Sequence, residues 1–311
     1  MSFLVELHPL ETYPIDALDR LDIAAPDFRL GNAQALMWLS QLAYETDHED
    51  KVDKILARWT LTKRGFRSHG PSLGLRSRKA CFVAAGGRKA TFVTFAGTDP
   101  LRIEDWIKDF TLAPEPNVLH KGFSDALDSV WDEVEAAIRN RDVAEQPLFF
   151  TGHSMGGALA ILAAERALDK AGIRATAVYT FGSPRTGGQD FFDAYTPELG
   201  GRTFRLAHGD DVVPTVPPIL NGDFRHVGQL LHCSSGGQFD GLTPASPSQN
   251  DPNLIQDVFD TVFDDLKKVL LRQALEAVGP RLSGQAAGFL PTMVRDHIPA
   301  SYFKALTIPL R

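Results

Sequence analysis

One serine lies in a sequence pattern that is typical of an enzyme nucleophile. Ser154 stands between Gly152 and Gly156 in the frame Gly-x-Ser-x-Gly, after the apolar run 147–150 and before an apolar run rich in small residues. A strand, a sharp turn and a helix in this order hold a serine hydroxyl out at the carboxyl edge of a sheet. The pattern therefore favours nucleophilic catalysis over a serine that only caps a helix.

A serine hydroxyl becomes a nucleophile when a histidine takes its proton and a carboxylate orients that histidine. After a turn of this kind, the acid is expected behind a later strand and the histidine last in the chain. Residues 205–214 read Arg-Leu-Ala-His-Gly-Asp-Asp-Val-Val-Pro, a strand pattern that ends in a loop. Asp210 and Asp211 are both candidates for the acid.

Three histidines follow these aspartates in the chain. His226 leads into a short predicted strand rather than out of it, and His232 alternates within an apolar run and is predicted to be a packed strand residue. The base is expected in a loop after the last strand. Chain order therefore favours His297, in Arg-Asp-His-Ile-Pro at 295–299.

Two groups are candidates for an oxyanion hole. The backbone N–H of Met155 is predicted at a helix N-terminus, where the helix dipole favours negative charge. Thr98 follows the strand pattern 91–95 and a glycine, and offers both a backbone N–H and a hydroxyl. An ordinary strand-ending turn is the alternative at Thr98.

Strand patterns alternate with helical patterns along most of the chain. Strands are predicted at 80–85, 89–95, 147–150, 176–181, 203–207 and 230–233, and helices at 31–43, 123–138, 156–171, near Gln189 and from Asp251. Gly-Gly-Arg between the first two strands predicts an antiparallel hairpin. The pattern predicts an α/β fold with a mostly parallel central sheet and helices on both faces, and it places no element within 46–78.

Composition narrows the possible partners. The 311 residues are 43% apolar, which is enough to bury a full core. Their net charge of −7 disfavours nucleic acid or an anionic membrane surface as the main partner. No apolar run approaches the roughly 18 residues of a transmembrane segment, and the N-terminus has no basic region, so a cytoplasmic protein or one secreted without a recognisable signal peptide is expected.

Cysteine and metal-ligand patterns give two further expectations. Cys81 and Cys233 each lie in an apolar strand-like run, and both are expected to be buried free thiols. No histidine–carboxylate cluster has the spacing of metal ligands, so neither a metal nor an organic cofactor is expected.

Several segments together resemble the class 3, or fungal-type, triacylglycerol lipases of the α/β-hydrolase superfamily. They are Phe-Ala-Gly-Thr at 95–98, the Trp106 segment at 104–109, Val-Leu-His-Lys-Gly-Phe at 118–123, the serine turn at 151–160, Thr-Phe-Gly-Ser-Pro-Arg-Thr-Gly at 180–187 and Asp-Val-Val-Pro-Thr-Val-Pro-Pro at 211–218. This chain has Met155 and Ala96 where the family commonly has leucine and arginine. The long segment between Cys233 and His297 is a further departure.

The resemblance implies a role for each candidate. Asp211 corresponds to the family's catalytic aspartate, and His297, with Tyr302 beyond it, to its catalytic histidine. His226 falls where the family has a non-catalytic histidine. The expected organisation is a single α/β-hydrolase domain over 1–311, with a lid-like segment near 99–110 and a helical insertion near 240–292. A fixed surface helix is the alternative for the lid.

The expected function is hydrolysis of carboxylic esters, by a lipase that acts on acylglycerols through an acyl-enzyme intermediate. The partner would be a lipid or small ester, in solution or at a lipid–water interface. Phospholipase A1, feruloyl esterase and short-chain esterase activities use the same triad and stay open. A non-catalytic interaction protein on the same scaffold is the alternative outside enzymes.

Overall fold

A seven-stranded sheet organises the part of the chain that the structure describes. This computed structural model describes residues 7–68, 80–87, 89–97, 116–140, 146–217, 224–240 and 292–308. The strands are β1 (Leu61–Arg67), β2 (Phe82–Gly87), β3 (Ala90–Phe95), β4 (Leu148–His153), β5 (Ala177–Phe181), β6 (Thr203–His208) and β7 (Gln229–Cys233). The α-helices in these ranges are α1 (Leu30–Leu42), α2 (Glu49–Arg58), α3 (Pro116–Asp128), α4 (Trp131–Arg139), α5 (Met155–Ala171), α6 (Gln189–Leu199), α7 (Thr292–Arg295) and α8 (Pro299–Ala305).

The strands lie in the sheet in chain order, from β1 at one edge to β7 at the other. β1, β2 and β3 pair antiparallel, and every pair from β3 to β7 is parallel. The predicted hairpin and the mostly parallel sheet are therefore confirmed. Because parallel strands end at the same edge, the loops that follow β3, β4, β5 and β6 meet there.

Helices cover both faces of this sheet, as predicted. Phe149 and Phe150 are successive, fully buried residues of β4, so their side chains point to opposite faces. Phe149 belongs to a core with Trp38 of α1 and Phe303 of α8. Phe150 belongs to a second core, built with residues of α3 to α6 such as Leu159. The terminal helices thus cover one face and the crossover helices cover the other.

The single helix predicted at 123–138 is wrong, because the chain breaks between α3 and α4. Val130 has φ −131° and ψ 0°, which is not helical. The hydroxyl of Ser129 donates to the carbonyl of Ala126 at 2.6 Å. A serine side chain that bonds to the preceding turn competes with the helical backbone pattern. The helix ends at Asp128 and restarts at Trp131 with the same apolar face inward.

Residues 46–78, where the sequence placed no element, contribute both α2 and β1. α2 is highly charged and buries only Val52, Ile55 and Leu56. β1 is an edge strand that carries Lys63, Arg64 and Arg67, and charged side chains of this kind protect a sheet edge from pairing with other chains. The polar composition that hid these elements is thus explained by their place at the edge of the fold.

Other expectations can be compared directly. Cys81 and Cys233 are free and buried, as predicted. His232 lies in β7 but is exposed, so its prediction as a packed residue is wrong: on this edge strand the alternation turns Leu231 inward and His232 to solvent. No helix in the described ranges is both long and apolar enough to span a bilayer.

Three predicted features lie outside the described residues. Thr98 and the lid-like segment near 99–110 are among them. Residues 241–291 of the predicted helical insertion are also outside. Met155, Ser154, Asp211 and His297 all lie within the described ranges.

Candidate active site

The serine turn is held by backbone contacts that leave no room for side chains. Ser154 joins β4 to α5 with φ 59° and ψ −132°, a left-handed conformation that is uncommon for a residue with a side chain. A Cβ on Gly152 would lie 2.2 Å from the carbonyl group of Gly156. A Cβ on Gly156 would lie 2.2 Å from the carbonyl oxygen of Phe95 in β3. The two glycines let the helix start directly against the strands, as the sequence pattern predicts.

The candidate oxyanion groups border this turn. Met155 is the first residue of α5, so its backbone N–H lies at the positive end of a 17-residue helix. Gly97, just after β3, approaches the serine so closely that a Cβ on it would lie 3.0 Å from Ser154 Cβ. The chain after β3 therefore leads past the serine, although Thr98 itself lies outside the described residues.

Asp211 and His297 form a buried pair. His297 Nδ1 lies 2.9 Å from both carboxylate oxygens of Asp211, and the side chains are 3% and 1% exposed, respectively. Asp211 follows β6 and His297 lies in the turn between α7 and α8, so 86 residues separate them in the chain. Asp210 is exposed. Of the two candidate acids, the structure pairs Asp211 with the candidate base.

The carboxylate of Asp211 has further partners. Tyr302 donates its hydroxyl to Oδ2 at 2.6 Å, and the backbone N–H of Val213 donates to Oδ1 at 2.9 Å. Burial and the charge of Asp211 raise the pKa of Tyr302 well above its ordinary value, so the hydroxyl stays a donor. These bonds compensate for burying the carboxylate charge beside His297.

The end of β5 packs against this pair. Gly182 has φ +59°, in the left-handed region. A Cβ on it would lie 2.6 Å from Asp211 Oδ2 and 2.9 Å from His297 Nδ1. Both the conformation and the contact explain why a glycine stands at this position of the segment 180–187.

Two buried polar atoms of the site have no hydrogen-bond partner among the described residues. They are Ser154 Oγ and His297 Nε2. Buried polar atoms are seldom unpaired, and these are the two between which a serine mechanism transfers its proton. The Oγ–Nε2 hydrogen bond is not formed in this structure; such bonds are often long in free enzymes and shorten when substrate binds.

Two further side chains, Asp296 and Arg185, fix the loop that carries Asp211 and the turn that carries His297. Asp296 accepts the backbone N–H of Asp210 at 3.0 Å and the hydroxyl of Ser235 at 3.3 Å. Arg185, whose pKa burial lowers to about 10, donates to the carbonyl of Pro217 at 2.5 Å and to that of Thr215. The loop that carries Asp211 (the acid loop) is thus bonded through Asp296 to the turn that carries His297. Through Arg185 it is also bonded to the segment that follows β5.

The two remaining histidine candidates have other partners. His226 Nε2 lies 2.7 Å from the carbonyl oxygen of Pro214, and His232 Nε2 lies 3.0 Å from that of Gly209. Burial and the charges of Arg205 and Arg185 lower the pKa of His226 well below its ordinary value. Both histidines hold backbone carbonyls, and His297 is the one that meets Asp211.

Two more polar residues next to the serine were missed from sequence. His153 occupies a variable position of the Gly-x-Ser-x-Gly frame, and its place beside the serine is the signal that could have found it. Tyr44, in the 3₁₀ turn Ala43–Glu45 after α1, contacts His153 across 109 residues of chain and gave no signal. Within the described ranges, no group of three or more His, Cys, Asp or Glu side chains is arranged to hold a metal ion.

Comparisons with known proteins find lipases that are similar to part of this chain. Residues 92–221, from β3 through the serine turn to the acid loop, match the model of the class 3 lipase family. A secreted mono- and diacylglycerol lipase 1 from Fusarium solani is 35% identical over 166 residues, which cover 50% of this chain and 48% of the relative. A lipase from Rhizomucor miehei is 33% identical over 162 residues, which cover 47% of this chain and 43% of the relative. The chain therefore spans about half the length of the curated relatives it matches.

Among solved structures, lipase II from Rhizopus niveus is similar with a TM-score of 0.51 and 19% identity, over 67% of this chain and 83% of that chain. This likeness supports the α/β-hydrolase fold that the sheet order and the serine turn already indicate. Over its segment 92–221, the chain is similar to the class 3 lipase family.

Proposed function

We propose that this protein is a serine hydrolase that cleaves the carboxylic ester bonds of acylglycerols. The observation that carries the proposal is the buried Asp211–His297 pair, set beside a serine turn, with Ser154 Oγ and His297 Nε2 left unpartnered. A serine, a histidine and a carboxylate in this chain order on a mostly parallel sheet constitute a nucleophile, a general base and an orienting acid.

The acylation step assigns one role to each residue. Ser154 Oγ attacks the ester carbonyl carbon while its proton passes to His297 Nε2. Asp211 stays ionised, accepts the Nδ1–H of His297 and stabilises the imidazolium that forms. The tetrahedral intermediate then collapses, the C–O bond to the alcohol breaks, and the alcohol leaves with the proton from Nε2.

Water repeats these steps on the acyl-enzyme and releases the fatty acid and free Ser154. In both steps the carbonyl oxygen becomes an oxyanion, which the Met155 N–H at the start of α5 would stabilise, together with Thr98. Removing one oxyanion donor costs about 10²–10³-fold in turnover, against about 10⁶-fold for the nucleophile or the base. Variants of Thr98 and of Ser154 should therefore differ widely in residual activity.

The substrate class is inferred from the relatives and from the burial of the site. The relatives reported above are named as lipases, one of them as a mono- and diacylglycerol lipase. Ser154 is 1% exposed, so an ester can reach it only after part of the protein moves aside. We infer that a lipid–water interface favours this opening, because an apolar surface stabilises apolar side chains that opening exposes.

The test is hydrolysis of p-nitrophenyl esters with two to sixteen acyl carbons, and of mono-, di- and trioleoylglycerol emulsions, by wild type and Ser154→Ala. The variant should lose activity by about 10⁶-fold while keeping the wild-type near-UV circular dichroism. Ser124→Ala is the matched control, since this half-buried serine of α3 contacts Arg166 rather than the site, and it should keep wild-type rates.

The substrate profile then decides among related activities. Preference for long-chain acylglycerols supports a lipase, whereas preference for two- to four-carbon esters, phospholipids or feruloyl esters would replace that substrate class. A wild type that hydrolyses no ester and whose Ser154 does not react with a fluorophosphonate probe in detergent would refute the enzyme function and favour a binding scaffold.

A further inference from the structure

His153, the residue before the serine, has both ring nitrogens engaged. Its Nε2 lies 2.7 Å from the backbone carbonyl oxygen of His297, and its Nδ1 lies 2.7 Å from the hydroxyl oxygen of Tyr44. A carbonyl oxygen only accepts, so Nε2 carries the proton and donates to His297. A neutral imidazole has one N–H, so Nδ1 accepts from the hydroxyl of Tyr44. The hydroxyl thus selects the one neutral tautomer that can bond to the backbone of His297.

The surroundings keep His153 in this neutral form. The residue is fully buried, and its ring centroid lies 4.6 Å from that of His297 with the planes at 33°. Burial and the neighbouring His297 lower the pKa of His153 to about 3. His153 therefore remains uncharged at every pH at which a histidine base can work.

The turn that carries Tyr44 is itself anchored. The next residue, Glu45, is fully buried, accepts the hydroxyl of Tyr13 at 2.6 Å and pairs with Lys51 Nζ at 2.8 Å. On the other side, the Tyr44 hydroxyl approaches the end of β3, where a Cβ on Gly97 would lie 2.3 Å from it. Tyr44 therefore lies between its own anchored turn and the end of β3 that borders the serine.

We propose that Tyr44 and His153 are positioning residues of the base. Tyr44 fixes the tautomer of His153, and the Nε2–H of His153 holds the backbone of His297 so that its imidazole faces Ser154. This inference rests on the hydrolase function proposed above.

The physical reason is that Asp211 alone leaves His297 one degree of freedom. The Asp211 carboxylate holds Nδ1, about which the ring can still pivot. The backbone N–H of His297 is bonded to the carbonyl of Val294 within its own turn, and the bond from His153 fixes a further point, the main-chain carbonyl, from outside that turn. A displacement of about 1 Å at a catalytic group can cost about 100-fold in rate, so this further point has a measurable effect on turnover.

The first experiment compares His153→Leu, His153→Gln and the control His48→Gln, which makes the same change at an exposed histidine. The leucine variant loses the N–H donor, and its kcat should fall by about 100-fold with KM nearly unchanged. The glutamine variant retains an N–H near the position of Nε2, so its kcat should recover to within about tenfold of wild type. A folded leucine variant with wild-type kcat, or equal losses in the leucine and glutamine variants, would overturn the proposal.

Tyr44→Phe tests the relay without disturbing the core, and it remains available if His153→Leu does not fold. Its kcat should fall by about tenfold. Because Tyr44 is proposed to act through His153, the same change should have no further effect in the His153→Leu background. Additive losses in the double variant would show that Tyr44 acts elsewhere, and would refute the relay.

Nuclear magnetic resonance of ¹⁵N-histidine-labelled protein reads the geometry without turnover. Wild-type His153 should show the Nε2–H form with no titration from about pH 5 to pH 9. Tyr44→Phe should produce a mixture of tautomers and shift the Nδ1 proton of His297. Unchanged spectra would overturn the positioning role. If wild type hydrolyses no ester, the proposed function fails, and these spectra still decide the structural relay separately.

Discussion

Ser154 and His297 lie at the same edge of the sheet, but different interactions hold them there. Ser154 is fixed by backbone contacts within one short segment, where glycines let α5 start against β3 and β4. His297 is fixed by side chains that come from distant parts of the chain. Asp211 lies 86 residues before it, and His153 lies 144 residues before it.

This difference determines how each side should respond to mutation. A side chain added to either glycine beside the serine has no space, so the whole turn must distort. Hydrogen bonds around the histidine can be removed one at a time, because each fixes one atom of the ring, carboxylate or backbone. We therefore expect that substituting the glycines around Ser154 (the serine side) lowers stability. Removing hydrogen bonds around His297 (the histidine side) should lower kcat by amounts that differ from bond to bond.

Among the contacts that hold the two residues in place, the largest effect on kcat is expected for Asp211→Asn. An amide at this position can present an N–H to His297 Nδ1 and so favour the wrong tautomer, which should lower kcat by about 10⁴-fold with the fold retained. Steady-state hydrolysis of a p-nitrophenyl ester measures the loss. Asp210→Asn is the control, because Asp210 is exposed and should keep wild-type kcat. Equal losses in both variants would contradict the assignment of the acid.

On the serine side, Gly156→Ala should destabilise the protein by about 3 kcal/mol or more, because its Cβ would lie 2.2 Å from the Phe95 carbonyl oxygen. The measurement is the free energy of unfolding in urea. Gly201→Ala is the control: a Cβ there meets nothing within 4 Å, so its free energy of unfolding should stay within about 0.5 kcal/mol of wild type. A stable, folded Gly156→Ala with low kcat would break the contrast between the two sides.

Tyr302→Phe should have a smaller effect, and it should change both kcat and the free energy of unfolding. It removes the 2.6 Å bond to Asp211 Oδ2 and also leaves the N–H of His208 without this acceptor. Losing a hydrogen bond to a charged group costs about 1.5–3 kcal/mol, so stability should fall within that range. Because the Asp211–His297 bond itself remains, kcat should fall less than in Asp211→Asn. A kcat as low as that of Asp211→Asn would show that Tyr302 is essential for holding the carboxylate.

The serine side could be predicted from the sequence because its determinants are local. Strand, glycines, serine and small-residue helix lie next to one another, and the alternation of strand patterns with helical patterns predicted the sheet. On the histidine side, chain order left Asp210 and Asp211 open, and only the family resemblance separated them. Adjacent residues in a loop can point in opposite directions, and hydropathy does not encode that direction.

Long-range partners account for what the sequence did not predict. The bonds of His153 to Tyr44 and His297 span 109 and 144 residues, respectively. No sequence motif of fixed spacing indicates that these residues contact one another. The break at Ser129 coincides with a side-chain hydrogen bond to Ala126, which a helical periodicity does not detect. Edge elements such as β1 are too polar for an apolar pattern to reveal them.

The stability of the protein in acid should also depend on His153 but not on the glycines around Ser154. The pKa of His153 is lowered to about 3 by burial and His297, whereas an unfolded histidine titrates near pH 6.5. Between these values the unfolded chain binds a proton that the folded chain does not. The stability linked to His153 is therefore fully present above about pH 6.5 and falls, by up to about 1.4 kcal/mol per pH unit, as the pH drops toward 3.

Urea unfolding of wild type and His153→Gln from neutral pH down to about pH 4 measures this slope. The glutamine has no proton to bind, so the variant should lose stability less steeply, and the difference in slope should approach one proton. Gly156→Ala, if it folds, should lower stability by the same amount at every pH, because a steric contact does not titrate. Parallel pH curves for wild type and His153→Gln would mean that the folded protein accepts a proton at His153, and the neutral bond to the His297 carbonyl would then be lost in acid.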